Sequence, residues 1–209
     1  MALSARFSEA LTLAAGLHRN QFRKGPRGIP YLSHLLAVAA IVIEHGGDED
    51  QAIAALLHDA VEDQGGPATL ATIRHIFGDT IADIVAGCSD TDVVPKPPWR
   101  QRKERHLVHL GEADPGVLLV TAADKLANAR SILEDYRELG EELWARFNCT
   151  RDESLWYYRS VVRVLRSRST PQRLVAELER VVTEIEIMAA QPRSSLASGQ
   201  PLIVAGENG

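Results

Sequence analysis

Apolar residues recur at the three- and four-residue spacing of an α-helix along almost the whole chain, and no useful length alternates apolar and polar residues as a half-buried strand does. This spacing predicts an all-α fold. Glycine and proline clusters such as GPRGIP at 25–30 and PKPP at 95–98 separate the segments. The predicted helices span residues 4–22, 31–46, 49–64, 68–77, 79–89, 99–110, 115–139, 151–168 and 171–190.

The chain length and composition indicate one domain. With 209 residues the chain can bury a sizeable core, and we assign residues 1–191 to a single compact domain and residues 192–209, rich in Ser, Gly and Pro, to a mobile tail. Cys88 and Cys149 are far apart without CxxC spacing, which argues against a zinc ribbon or a disulfide framework. No apolar run approaches about 18 residues, so we expect no membrane span and a cytoplasmic location.

The charge distribution bears on possible partners. A net charge of −5 argues against general affinity for nucleic acid, because nonspecific binding to DNA or RNA requires a basic surface. Two local basic clusters suggest contact with a polyphosphate instead, although any single member could belong to a solvated helix face. These clusters are Arg23, Lys24 and Arg27 before the second predicted helix, and Lys96, Arg100, Arg102, Lys103 and Arg105 in PKPPWRQRKERH.

The segment LLHDAVED at 56–63 places one histidine and three carboxylates at the predicted end of a helix. Gly65 and Gly66 should stop this helix, so the carboxylates would lie near the negative end of the helix dipole, where anions are unfavourable. His58 and Asp59 are both good ligands for a divalent transition metal. Such an ion would supply the positive charge that this helix end lacks.

Two further residues are candidate ligands. His34 lies among apolar residues in YLSHLLAVAAIV, where a histidine is more often a hydrogen-bonded core residue. Asp124 lies in VLLVTAADKLANARSIL, a segment with apolar residues on opposite sides that predict a central, buried helix. A buried carboxylate needs a cation or strong hydrogen-bond donors. For each residue there is an alternative to the role of metal ligand. Asp124 could instead form an interhelical hydrogen bond to Arg or Lys, and His34 could be a hydrogen-bonded core residue.

His34, the pair His58–Asp59 and Asp124, in this order, resemble the metal-ligand set of the HD phosphohydrolase superfamily. More narrowly, HRNQFRKGPRGIPYLSHLLAVA, ALLHDAVED and AADKLANARSI resemble the hydrolase domain of Rel/SpoT proteins and the stand-alone small alarmone hydrolases. The resemblance covers about residues 18–133. An HD pair alone is a weak motif, whereas the three stretches together are specific. The resemblance implies a helical HD bundle with a central metal site.

The resemblance also implies a reaction. A single Mn²⁺ would bind four protein ligands, and the enzyme would hydrolyse the 3′-pyrophosphate of guanosine tetra- or pentaphosphate. Glu62 and Asp63 would orient or deprotonate the attacking water. The candidate substrate-binding residues are Arg23, Lys24, Tyr31, Asn128 and Ser131 by their match to the family pattern, with Lys96, Arg102 and Lys103 from the second basic cluster.

Some residues depart from the family pattern. GCSDTDVVPKPPWRQRKE stands where a TDDK-type segment is common, Ala127 replaces the usual histidine before the asparagine, and Gln64 replaces a threonine. The substrate could therefore be another nucleotide, such as an adenosine alarmone or a phosphomonoester, or the chain could be a non-catalytic nucleotide- or partner-binding module. For the aromatic residues after position 140, core packing is favoured over base stacking: Trp144, Phe147, Trp156, Tyr157 and Tyr158.

Overall fold

The computed structural model describes residues 2–24, 27–89, 95 and 97–190. Their regular secondary structure is helical, which confirms the predicted all-α fold. The elements are α1 (Ala5–Leu17), α2 (Leu32–Glu44), α3 (Glu49–Leu57), α4 (Ala60–Asp63), α5 (Pro67–Phe77), α6 (Asp79–Cys88), α7 (Trp99–Glu112), α8 (Pro115–Leu139), a 3-10 helix (Gly140–Arg146), α9 (Arg151–Arg166) and α10 (Gln172–Ala190).

The long helix α8 forms the centre of the bundle. It contacts α2, α3, α6, α9 and α10, and residues 117–124 along it are all buried. A helix with apolar residues on opposite sides cannot leave either side in water without losing hydrophobic stabilisation, so the other helices pack around it. The helix ends at Gly140, whose φ of +59° lies in the left-handed region that favours glycine.

Local sequence signals set several helix starts. Asp48 and Gln51 form a reciprocal capping box at the start of α3, and Thr150 and Glu153 form another at the start of α9. Each box satisfies backbone N–H groups that have no partner within the helix. The two boxes therefore fix the start of α3, which leads to His58, and the start of α9, which carries Tyr157 and Tyr158.

The first predicted helix, over residues 4–22, is too long. α1 ends at Leu17, because the next residues turn back toward the segment that leads into α2. Phe22 and Pro30 form an isolated antiparallel bridge, and the Arg23 backbone N–H donates to the Ile29 carbonyl oxygen at 2.9 Å. These pairings outside the helix replace the hydrogen bonds that a continued helix would make.

The predicted helix over residues 49–64 is interrupted. α3 ends at Leu57, α4 begins at Ala60, and Nδ1 of His58 lies 2.8 Å from the Ala55 carbonyl oxygen. In an uninterrupted helix that oxygen accepts from the backbone N–H four residues on. The expectation that Glu62 and Asp63 end one long helix is therefore wrong, since both lie in the first turn of the short α4. The need for a cation rests instead on the side-chain cluster described below.

The chain after α8 differs from prediction in one respect. Residues 140–146 form a 3-10 helix where no helix was predicted, and Leu143 and Trp144 from it are buried. The predicted tail over 192–209 lies outside the described residues. Among the described helices none is both long and apolar enough to cross a membrane, and the cytoplasmic location stays a prediction.

Replacing a buried side chain of α8 tests its structural role. Leu118 is 1% exposed, so Leu118→Ala should lower the free energy of unfolding by about 2–5 kcal/mol, from lost burial and the cavity left behind. Urea titration followed by circular dichroism measures the change. Val108→Ala is the matched control at a position 67% exposed, and its effect should stay within about 0.5 kcal/mol. Equal effects of the two substitutions would contradict the central position of α8.

Candidate metal centre and the adjoining cavity

Three helical segments bring two imidazoles and two carboxylates together. His34 comes from α2, His58 and Asp59 from the junction of α3 and α4, and Asp124 from the middle of α8. Ligand atoms of the first three lie within 4.8 Å of one another. Oδ1 of Asp124 lies 3.2 Å from Nε2 of His34 and 3.7 Å from Nε2 of His58. The structure thus assembles all four predicted ligands around one point.

His58 has its ring orientation set by the break in the helix. Nδ1 lies 2.8 Å from the Ala55 carbonyl oxygen, which can only accept, so Nδ1 carries the hydrogen. Nε2 of the neutral ring then presents a lone pair to the cluster. This nitrogen is buried without a hydrogen-bond partner among the described residues, although Oδ2 of Asp59 is 3.0 Å away. A lone pair facing a carboxylate is repulsive unless a cation lies between them.

The pKa shifts show the same demand for positive charge. Burial by itself lowers the pKa of His58, but the adjacent Asp59 and Asp124 outweigh burial and raise that pKa well above its ordinary value. Burial alone raises the pKa of Asp59 and of Asp124, yet His58 beside the former and Lys125 beside the latter hold both pKa values well below the usual range. Both carboxyls therefore stay ionised, and Nε2 of His58 would bind a proton in any state in which no metal ion takes that position.

The cluster has the dimensions of a metal site. Metal bonds to imidazole nitrogen and carboxylate oxygen are about 2.0–2.2 Å long, which places neighbouring ligand atoms about 3 Å apart. The four histidine-to-carboxylate distances run from 3.0 to 3.7 Å. With the unpartnered Nε2 of His58, these distances fit a divalent cation bound by His34, His58, Asp59 and Asp124.

Both carboxylate ligands are oriented by neighbouring donors. The Tyr31 hydroxyl donates to Oδ2 of Asp59 at 2.5 Å, and its ring stacks on that of His18. Asn128 donates to Oδ1 of Asp124, while Arg23 donates to the Asn128 side-chain oxygen at 2.9 Å. Tyr31 and Asn128, predicted as substrate-binding residues, are thus placed against the candidate ligands. Such outer hydrogen bonds hold metal ligands in their binding orientation.

Lys125 is a site residue that the sequence reasoning missed. Its Nζ lies 2.6 Å from Oδ2 of Asp124, and the side chain is only 16% exposed. The sequence contained a signal for this residue, namely a lysine directly after an aspartate on a helix predicted to be central and buried. Such a lysine cannot easily reach bulk water, which favours a contact with the neighbouring carboxylate. Its charge partly balances the carboxylates and leaves Oδ1 of Asp124 directed to the two histidines.

A cavity of about 390 Å³ opens beside the cluster. Asp59, Glu62 and Asp63 line its acidic side. The lining also includes the predicted residues Arg23, Lys24, Tyr31, Lys103, Asn128 and Ser131, together with Lys125, Asp135 and several apolar and aromatic side chains. Carboxylates and cations that line one cavity can hold a water molecule beside an anionic group.

Two predicted substrate residues are not placed in this cavity wall. Arg102 donates from Nε to the Pro97 carbonyl oxygen at 3.2 Å, and it is not among the described residues that line the cavity. Lys96 lies outside the described residues. The roles of both stay predictions.

The aromatic residues near α9 serve two purposes. Trp144 is buried in the core, in agreement with the packing interpretation. Phe147, Tyr157 and Tyr158 pack against the core and also line the cavity, together with Trp99 from α7. From the sequence, core packing was favoured over base stacking for the three rings after position 140, because their place beside Arg23 and Asp59 depends on the packing of segments that are distant in the chain.

The metal assignment predicts the effect of removing a ligand. Asp59→Ala leaves the buried Nε2 of His58 without its nearest carboxylate, so the affinity for Mn²⁺ should fall more than about 100-fold, beyond the 10- to 100-fold loss typical of an outer partner. Isothermal titration calorimetry on protein stripped with chelator measures this. Asp83→Asn, at a position of α6 whose side chain is 68% exposed, is the matched control and should bind as the wild type does. Unchanged affinity in Asp59→Ala would contradict the assigned ligand.

Tyr31→Phe separates two roles of the tyrosine hydroxyl. The loss of its hydrogen bond to Asp59 should lower metal affinity about 10-fold or more while the ring still packs on His18. The same calorimetry measures it. A weaker substrate affinity with unchanged metal affinity would instead indicate direct substrate contact.

Comparison with known proteins places this geometry in a family. A family model described as "HD domain" matches residues 10–152. MESH1 of Danio rerio, a guanosine-3′,5′-bis(diphosphate) 3′-pyrophosphohydrolase, is 38% identical over 126 residues, which are 59% of this chain and 67% of that protein. The human MESH1 is 37% identical over 131 residues, 62% of this chain and 70% of that protein.

A bacterial relative and two solved structures agree with this match. The bifunctional (p)ppGpp synthase/hydrolase SpoT of Escherichia coli (strain K12) is 35% identical over 133 residues, covering 61% of this chain and 18% of SpoT. The structure of a metazoan ortholog of SpoT that hydrolyses ppGpp superposes on this chain with a TM-score of 0.72 and 28% sequence identity. The superposition covers 88% of this chain and 97% of that one. A Listeria monocytogenes structure gives a TM-score of 0.64 and 31% identity, over 75% of this chain and 97% of that one. Given the matched residues, the helical fold and the buried His and Asp cluster, this chain belongs to the HD-domain family.

Proposed function

We propose that this protein is a Mn²⁺-dependent phosphohydrolase that removes the 3′-pyrophosphate of guanosine tetra- or pentaphosphate, giving GDP or GTP and pyrophosphate. The observation that carries the proposal is the cavity that joins the metal cluster to a wall of cations. The 37–38% identity to MESH1 proteins, whose names state this activity, supports the choice of substrate.

The cation wall suits a substrate with several phosphates. Arg23, Lys24, Lys103 and Lys125 all line the cavity, so a polyphosphate can contact several positive charges at once. Arg23 is held by its bond to Asn128, which directs its guanidinium into the cavity region at little further entropic cost. Such contacts place the phosphorus atom to be attacked near the metal ligands.

The donor set favours a transition metal over Mg²⁺. Two imidazoles and two carboxylates are mixed nitrogen and oxygen ligands. Imidazole suits ions such as Fe²⁺ or Zn²⁺, carboxylate oxygen also suits Mn²⁺, and Mg²⁺ is usually bound by oxygen ligands and water. A divalent ion bound there supplies Lewis-acid stabilisation of phosphate oxygens and lowers the pKa of a coordinated water. We propose Mn²⁺ because the resemblance to small alarmone hydrolases implies it.

Glu62 and Asp63 are the proposed acid–base pair. Asp63 lines the cavity, and desolvation by surrounding protein atoms raises the pKa of its carboxyl above the ordinary value, which makes the carboxylate a better proton acceptor. A carboxylate of the pair accepts a proton from the attacking water while the water oxygen bonds to the phosphorus on the ribose 3′ oxygen. The bond between that phosphorus and the 3′ oxygen breaks, and the pair returns a proton to the departing 3′ oxygen.

A second candidate is hydrolysis of a related nucleotide. The HD-domain match ends at residue 152, whereas Tyr157 and Tyr158 line the cavity beyond that point. The family match therefore does not determine the surface available to a base, and an adenosine alarmone or a 3′-phosphomonoester remains a competing substrate. A panel of these nucleotides, each assayed with Mn²⁺, decides between the two candidates.

The proposal is tested by activity. Wild-type protein loaded with Mn²⁺ should convert guanosine tetraphosphate to GDP and pyrophosphate. Anion-exchange chromatography of the nucleotides measures this conversion. Because general acid–base catalysis contributes about 10²- to 10⁴-fold, Glu62→Gln with Asp63→Asn should lower kcat by at least about 100-fold.

The matched control is Glu112→Gln with Asp114→Asn, an exposed acidic pair between α7 and α8 that should leave kcat unchanged. No turnover of any guanosine substrate by metal-loaded wild type would overturn the substrate assignment. Full activity of the Glu62 and Asp63 double variant would overturn the acid–base roles. Binding of nucleotides without hydrolysis would favour a non-catalytic module.

A further inference from the structure

The side chain of Gln21 makes three hydrogen bonds beside the proposed catalytic pair. Its Nε2 donates to Oδ2 of Asp63 at 2.7 Å. Its Oε1 accepts from Nε2 of Gln64 at 2.6 Å and lies 2.7 Å from Nδ1 of His18. Every polar group of this amide but one N–H is thus engaged at short distance.

These partners leave one orientation for the amide. An ionised carboxylate can only accept, so the nitrogen of Gln21 must face Asp63. The oxygen then faces Gln64 and His18, whose Nδ1 must carry the hydrogen. A flipped amide would oppose its oxygen to the Asp63 carboxylate and its NH₂ to the Gln64 NH₂. The three neighbours therefore act together to aim a single N–H at Asp63.

The segment that carries Gln21 is also tied to the metal cluster. The Tyr31 backbone N–H donates to the Gln21 carbonyl oxygen at 2.9 Å, and the Tyr31 hydroxyl donates to Asp59. The His18 ring is buried, and it stacks on Tyr31 with 5.2 Å between centroids. One short turn thus holds both a candidate metal ligand and a proposed base in a fixed relation.

We propose that Gln21 is a positioning residue that holds the Asp63 carboxylate by Oδ2 in the orientation needed for proton transfer, with Gln64 and His18 fixing the Gln21 amide. This inference rests on the proposed function, because it assigns Gln21 a role in the same reaction. It extends that function to a residue outside the metal ligands and the acid–base pair. Misplacement of a reacting group by about 1 Å can lower a rate by about 100-fold.

Two substitutions of nearly equal shape test the role of the amide N–H. Gln21→Met removes every hydrogen bond of the side chain, and Gln21→Glu retains acceptors for Gln64 and His18 but loses the donor to Asp63. Although Gln21 lines the cavity, a positioning role requires no bond from its amide to the substrate. Each substitution should therefore lower kcat about 10- to 100-fold while KM changes less than about threefold. Mn²⁺ stoichiometry, measured by elemental analysis, should stay at the wild-type value.

A double-mutant cycle separates positioning from a general structural effect. If Gln21 acts through Asp63, Gln21→Met should lower kcat no further in a protein that already carries Asp63→Ala. Gln51→Met is the control, because it removes the hydrogen bond that the Gln51 side-chain oxygen accepts from the Asp48 backbone N–H at the capping box of α3. It should lower thermal stability without changing kcat.

Crystal structures of the wild type and Gln21→Met with Mn²⁺ give a measurement that does not depend on turnover. The Asp63 side chain should hold one orientation in the wild type and move, or split between orientations, in the variant. An unmoved Asp63, or additive losses of rate in the cycle, would overturn the inference. If Asp63 moves as expected but wild type hydrolyses no nucleotide, the proposed function fails while the positioning contact stands.

Discussion

The mutual approach of two imidazoles and two carboxylates between three helices is the constraint on which the rest of the molecule depends. Histidine and carboxylate atoms only 3.0–3.7 Å apart are tolerable when a cation lies among them and repulsive when the rings are neutral and none is present. The candidate ligands come from three parts of the bundle, so the cluster can form only when α2, the α3–α4 junction and α8 are packed together. A cation that bound this cluster would therefore stabilise the folded chain.

The cluster is held by an outer layer of hydrogen bonds. Tyr31 donates to Asp59, Asn128 donates to Asp124, and the Ala55 carbonyl fixes the His58 ring. Because these partners are buried or half-buried, they position the ligands before any ion binds and reduce the entropic cost of binding. Tyr31 lies on the short connection between α1 and α2, as does Arg23, which donates to Asn128. A segment without a helix thus contributes to the precision of the site.

Prediction from sequence was accurate where helix signals are local and wrong where tertiary contacts compete with them. α8 was predicted with its observed limits, because Pro115 and Gly140 mark its ends. The break at His58 was missed because it depends on a side-chain hydrogen bond. The His58 ring donates to the Ala55 carbonyl oxygen, which a continuous helix would use for a backbone hydrogen bond. The 3-10 helix over 140–146 was missed because its residues are ordered by burial of Leu143 and Trp144 and not by helical periodicity.

The sequence by itself indicated the helical class and the central position of α8, because residue type and spacing are readable without coordinates, and its resemblance to HD phosphohydrolases implied four candidate ligands. Only the tertiary structure decided which polar residues face one another. Lys125 beside Asp124, the rings of α9 in the cavity and the Gln21 bond to Asp63 join residues whose proximity follows from helix packing or side-chain orientation. The physical reason is that a linear pattern specifies which face of a helix is apolar, whereas the partner of a polar group is set by the packing of separate segments.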